Sequence, residues 1–237
     1  MLTTNERTGY SNTTCFSDEH MGLLIDKMYI LKFTKNEQLY WEGDVSNSLY
    51  FILNGKAKLS KLNEDGKELT LYNYFKGDLF GEYVTTNDPF NSFTAQIITD
   101  STIGVIQQED LEELMRGHPG FATEFTMWLN INHRYTQMKL RDLLLYGKNG
   151  ALAAILIRIS NTYGINKNDK IVISKRFTNI ELAKLIGATR ETVSRLLTGF
   201  KQDGLIHYNY GKIEILNVNG LKEINQCENC PLEICRL

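Results

Sequence analysis

The stretch FTNIELAKLIGATRETVSRLLTGFKQDGLI, Phe177 to Ile206, constrains the fold most, because its start and stop signals define two short helices and the turn between them. Thr178 and Glu181 stand at capping-box spacing, Gly187 ends the first helix, and Thr189 can cap a second that runs to about Lys201. Asp203-Gly204 stops that helix, and HYNYGKIEIL predicts a hairpin wing turning at Gly211. Such an order is a winged helix-turn-helix, in which the second helix reads the major groove of DNA. Arg190, Glu191, Ser194 and Arg195 share one helical face, while Val193, Leu196 and Leu197 turn inward. Arg can grip guanine O6 and N7, Glu can accept from cytosine N4, and Ser can serve a base edge or a phosphate. Taken singly, each could equally be part of a solvated helix face.

The overall charge of −2 and pI near 6.1 argue against a nucleic-acid partner, but the charge is unevenly spread. Residues 1 to 129 carry 10 Lys+Arg against 19 Asp+Glu, whereas residues 130 to 237 carry 16 against 9. A basic second half on an acidic first half suits a chain that touches DNA at one end. The 237 residues, 42% hydrophobic and 23% charged, predict a soluble protein of two domains. No leader pattern and no apolar run of about 18 residues is present, so a cytoplasmic protein without membrane contact is expected.

Along the chain, residues 1–20 predict a flexible lead-in carrying Cys15. Short apolar runs broken by Gly43, Gly55, Gly66, Gly77, Gly81 and Gly104 predict an antiparallel β-roll over 21–118, with its clearest hairpin at Asp65-Gly66. A helix follows over 119–146, opened by Pro119. Phe121, Phe125, Trp128, Asn132 and Tyr135 form a heptad-like stripe on it, either packed on the chain's own β-domain or paired with a second copy. Gly147 and Gly150 predict a hinge, followed by a helix-compatible segment from Ala151 and a strand at Lys170–Ser174. The winged helix then spans 147–218, and a cysteine-rich tail occupies 219–237.

LAKLIGATRETVSRLLTGFKQDGLI resembles the DNA-binding signature of the CRP/FNR regulators, and WEGDVSNSLYFILNGKAKL and FKGDLFGEY resemble the β-roll of their sensor domain. The resemblance covers about Tyr29 to Tyr210. It implies an α+β fold: an N-terminal antiparallel β-roll of cyclic-nucleotide-binding type, a long dimerisation helix and a C-terminal winged helix. It also implies a homodimer on palindromic double-stranded DNA that works with RNA polymerase. Arg190, Glu191 and Arg195 match the base-contacting positions of the CRP branch, which implies TGTGA-like half-sites. Relatives that bind cyclic nucleotides follow Gly-Glu of the β-roll with an Arg that holds the phosphate. Here Gly81-Glu82 is present, but Phe93 stands where the Arg belongs and no Lys or Arg occurs between Lys76 and Arg116. Burying an anionic phosphate without a cation is costly, so no cyclic nucleotide is expected.

The tail, CENCPLEIC, places Cys227, Cys230 and Cys235 at C-x2-C-x4-C spacing. Three soft thiolates suit a 4Fe–4S cluster; zinc with a fourth ligand, or free or disulfide-forming thiols, are the other possibilities. The tail is similar to that of the Bacillus-type FNR branch, whose cluster cysteines are C-terminal. In that branch an Asp within KxRDLLLxGKxGAL completes the ligand set, and KLRDLLLYGKNGAL places Asp142 there. An ion pair of Asp142 with Lys139 or Arg141 is the structural alternative, and Cys15 is a rival ligand. The resemblance therefore implies an oxygen- or redox-responsive regulator of anaerobic genes. A ligand-responsive CRP-type regulator with a structural zinc tail is the second reading. No catalytic constellation stands out, and a dithiol enzyme would need a βαβ context and a helix N-terminus that this tail lacks, so a non-enzyme is expected.

Overall fold

The computed structural model describes residues 10–83, 89–168 and 170–237. They form two compact units, Tyr10–Asn63 with Thr70–His133, and Arg134–Leu237 with Glu64–Leu69.

In the first unit, α1 (Asp18–Asp26) precedes β1 (Tyr29–Phe33), β2 (Gln38–Tyr40), β3 (Ser48–Leu62), β4 (Glu68–Phe75), β5 (Leu79–Phe80) and β6 (Thr94–Gln107). The sheet order is β1-β6-β3-β4, with β2 also on β6 and β5 on β3. The long β3 and β6 pair antiparallel from Ser48↔Gln107 to Ser60↔Thr94, with register shifts between Ile52 and Ala57 that bend the ladder. Gly55 lies in that stretch at φ +100°, where a Cβ would collide with Ser101. One apolar cluster, including Tyr40, Ile52, Tyr74, Phe80, Ile97 and Ile103, fills the roll. A second packs α1, α2 (Gln108–Gly117) and the start of α3 (Pro119–Tyr163) on the sheet through Leu24, Leu49, Leu79, Leu111 and Phe121.

One expectation needs correction here, and one open alternative is decided. Residues 10–17 are not a loose lead-in, since Asn12 is only 2% exposed. Its N–H donates to Asp78 Oδ1 at 2.9 Å, its Nδ2 donates to the Leu79 carbonyl at 2.7 Å and its Oδ1 accepts the Leu79 N–H at 2.9 Å. A polar residue that satisfies buried backbone pins a segment without any apolar period. Residues 1–9 of the expected lead-in lie outside the described residues. Of the two readings of the aromatic stripe, packing on the chain's own β-domain holds, since Phe121, Phe125 and Trp128 are buried in the first unit's core. The outward residues farther along α3 are Leu140 at 54% exposure and Leu144 and Leu145 at 70%.

The second unit takes α3 from Arg134 onward, then β7 (Gly164–Lys167), β8 (Lys170–Ile173), α4 (Asn179–Ile186), α5 (Arg190–Gln202), β9 (Ile206–Asn209), β10 (Lys212–Ile215) and α6 (Val218–Ile224). The sheet order is β7-β8-β10-β9; β7 has no clear counterpart in the sequence signals. Gly147 breaks α3 with φ 60° and ψ −161°, a conformation open essentially to glycine alone. Gly150 is helical instead, and its backbone abuts Tyr146 so closely that a Cβ would clash. The tail packs into this unit, since Ile234 and Leu237 are each 3% exposed. One stretch of α3 has the length and hydropathy of a membrane span, but most of it is buried within the protein, as in a core helix.

Candidate DNA interface and cysteine site

The two helices of the winged unit begin as their signals require. The Thr178 N–H donates to Glu181 Oε2 at 2.7 Å and the Glu181 N–H donates to Thr178 Oγ1 at 3.2 Å, the reciprocal box. Gly187 closes α4 in the left-handed region at φ 59°, and Thr189 Oγ1 accepts the Thr192 N–H at 3.2 Å to open α5. Val193, Leu197 and Phe200 are buried under α5, while Leu196 is half-buried. Arg190, Glu191, Ser194 and Arg195 are all exposed, so the four expected readers stand on one open face. In the wing, β9 and β10 pair from Ile206↔Ile215 to Asn209↔Lys212. Tyr210 at its tip has φ 46° and is 90% exposed. The sequence reading did not single it out; a tyrosine forced to positive φ at a hairpin tip was the available signal. Tyr208 Oη donates to Asn179 Oδ1 at 2.6 Å and so fastens the wing to the first turn of α4.

The second site lies in the same unit. Cys227, Cys230 and Cys235 line one small cavity together with Asp142, Arg141, Arg158, Glu228 and Asn225. Asp142 is buried, and its Oδ2 accepts from Arg158 Nη2 at 2.7 Å while its Oδ1 accepts from Arg141 Nη1 at 3.3 Å. The structural alternative for Asp142 is thus present through Arg141, with Arg158 as a further and shorter partner. Burial disfavours charge on Arg158, but Asp142, with Tyr135 and Cys235, opposes it, and the pKa lies above the ordinary value. Burial pushes the Cys235 thiol up, with Arg158 opposing; burial, Cys227 and Glu228 push Cys230 up.

Arg141 ties the tail to α3. Its Nη2 donates to the carbonyls of Gln226 at 2.6 Å and Asn225 at 3.1 Å, and its Nε pairs with Glu228 at 3.1 Å. Beyond the Gly147 break, Asn161 Nδ2 donates to the Cys235 carbonyl at 2.6 Å and the Leu237 N–H donates to Thr162 Oγ1 at 3.0 Å. Among the described residues no three His, Cys, Asp or Glu side chains converge as they would on a single metal ion. Three thiols and a carboxylate nevertheless line one cavity, the donor types that an iron–sulfur cluster takes. Cys15 belongs to the first unit, where its thiol points to the Glu124 carbonyl at 3.7 Å and burial raises its pKa to about 11.

In the β-roll, both Glu82 oxygens are engaged by Ser92, from its N–H at 2.8 Å and its Oγ at 2.7 Å. A cation does come near, which inspection of the local sequence missed: Lys61 of β3 lies 5.5 Å from the Phe93 ring centre, bonds the Ser92 carbonyl at 3.1 Å and pairs with Glu42 at 3.0 Å.

Residues 30–118 match the cyclic nucleotide-binding domain family and residues 150–224 match the Crp-like helix-turn-helix domain family. This pairing of a β-roll with a winged helix, and the open reading face of α5, define a DNA-binding transcription regulator rather than an enzyme. The chain is 39% identical over 208 residues to the anaerobic regulatory protein of Bacillus subtilis, covering 87% of each. It is 26% identical to a CRP-like cAMP-activated global transcriptional regulator of Mycobacterium tuberculosis, covering 78% of this chain and 83% of that one. The protein belongs to the CRP/FNR family of transcription regulators. Its fold matches the c-di-GMP-responsive global regulator CLP of Xanthomonas campestris with a TM-score of 0.73 at 18% identity, over 84% of this chain and 99% of that one.

Proposed function

We propose that this regulator responds to oxygen or redox state and controls anaerobic gene expression in the cytoplasm, through a 4Fe–4S cluster held by Cys227, Cys230, Cys235 and Asp142. The observation that carries this is the gathering of those four side chains around one cavity, although Asp142 lies 85 or more residues before the cysteines. The 39% identical relative is named for anaerobic regulation, which supports the same reading. A bound cluster supplies oxygen-sensitive iron–sulfide chemistry, so its presence or loss reports the surroundings.

The chain's own contacts give that signal a route to DNA. Arg141 and Asp142 lie before the Gly147 break in α3, while Arg158, Asn161 and Thr162 lie after it. A ligand set shared by Asp142 and the tail would clamp this joint and hold α5 in one pose. Without it, the Gly147 joint would rely on protein contacts such as Arg141 with the Gln226 carbonyl and Tyr146 Oη with Gln226 Oε1. A two-fold dimer must present its two recognition helices at the spacing of successive major grooves, so a loose joint would weaken specific binding. The exposed Leu140, Leu144 and Leu145 support a homodimer through α3, and Arg190, Glu191 and Arg195 support palindromic TGTGA-like sites. RNA polymerase would then be met at promoters. Cyclic nucleotide is not the signal in this reading, since Ser92 already occupies Glu82 and Glu42 pairs with Lys61.

The test is the visible spectrum, iron and sulfide content, and DNA binding of anaerobically purified protein before and after air. A brown protein that bleaches and loses specific binding is expected; a colourless protein containing only zinc would overturn the reading.

A further inference from the structure

Arg158 lines the cysteine cavity with its side chain only 7% exposed. Its Nη2 holds Asp142 Oδ2 at 2.7 Å, yet its Nε is buried without a hydrogen-bond partner among the described residues. A buried donor left unmade is costly and calls for an acceptor. Arg141 is different: its Nε, Nη1 and Nη2 are spent on Glu228, on Asp142 and on the carbonyls of Asn225 and Gln226.

We propose that Arg158 is a positioning residue of the cysteine site, orienting Asp142 through Nη2 and offering its Nε–H to a sulfur atom of the group bound there. This rests on the cluster reading above. The physical case is one of charge and of donors. Three thiolates and a carboxylate around an iron–sulfur cluster leave a net negative charge in a largely buried place, and a buried negative charge needs a nearby cation. Arg158 is the more deeply buried of the two guanidiniums that line the cavity. Hydrogen bonds to cluster sulfur help set the reduction potential and stability of such groups, and partners that orient a ligand are part of the site. A guanidinium does both at once, because its planar fork can hold the carboxylate while Nε reaches elsewhere.

The experiment compares wild type, R158K and R158Q, purified and reconstituted without oxygen, by iron and sulfide content, reduction potential and decay rate in air. Far-UV circular dichroism of each cluster-free protein monitors the fold. R158K keeps the charge but has no Nε donor, so it should fold, give a more negative potential and bleach faster. R158Q loses both and should bind the cluster about 10- to 100-fold more weakly. A wild type that holds a cluster alongside an R158K of unchanged potential and decay rate would overturn the role of Arg158 and leave the cluster standing. A wild type that holds no cluster would overturn both.

Discussion

The β-roll and the cysteine tail both gather polar side chains around a place for a ligand, but those groups are in different states. In the β-roll, Glu82 is committed to Ser92, and Lys61 to Glu42 and the Ser92 carbonyl. In the tail, Cys227, Cys230 and Cys235 form no disulfide and Arg158 Nε is buried without a hydrogen-bond partner among the described residues. A site that satisfies itself gains little by taking up a ligand, whereas unpaired buried groups gain their missing bonds from one. The contrast supports the proposal that sensing in this protein rests on the tail rather than on the β-roll.

The largest expected effect would break the contrast directly. Cys227→Ser, Cys230→Ser or Cys235→Ser should each abolish anaerobic iron and sulfide, while Cys15→Ser should leave both intact; elemental analysis decides it. A normal cluster in any of the three tail variants would return the tail to a structural role.

Next comes Asp142→Ala. It removes the proposed ligand and also strands buried Arg158, so stability should fall by about 3–5 kcal/mol as well. Urea unfolding of the cluster-free protein separates the two effects, because the stability loss should persist there while the change in cluster lifetime has nothing to act on.

Trp128→Ala tests the β-roll side. As a residue 2% exposed in the first unit's core it should cost about 3–5 kcal/mol, read by thermal or denaturant melting, whereas the outward Leu144→Glu should change oligomeric state in light scattering with little loss of fold. If the tryptophan variant instead dissociated a dimer while melting normally, the stripe would be an interface after all.

Smaller again is Glu191→Ala, expected to relax preference at one base position by about 1–3 kcal/mol without changing melting, as measured by binding to a panel of substituted sites. The least effect is that of Thr178→Ala, about 1 kcal/mol of stability from the lost helix cap. Beside it, titrating cyclic AMP into the protein should give no saturable heat; a clear binding isotherm would restore the β-roll as sensor.

What proved legible in the sequence was whatever depends on neighbours in the chain. Caps, turn glycines and helical faces act within a few residues, so Thr178, Gly187, Thr189 and the exposed set from Arg190 to Arg195 could be placed from the letters alone. The β-roll hairpins were legible for the same reason, through Gly66 at φ +76°. What could not be read was which distant group each buried side chain would meet. The aromatic stripe was visible, but periodicity states only that a face is apolar, and burial in the same chain or against another copy produces the same pattern. Asn12 carried no local sign that it would lock onto Asp78 and Leu79, nor Lys61 that it would reach Phe93. Asp142 was marked by a motif, yet only packing in three dimensions set it against Arg158 and beside the cysteines, because salt bridges and cavities form between groups that are close in space and far apart along the chain.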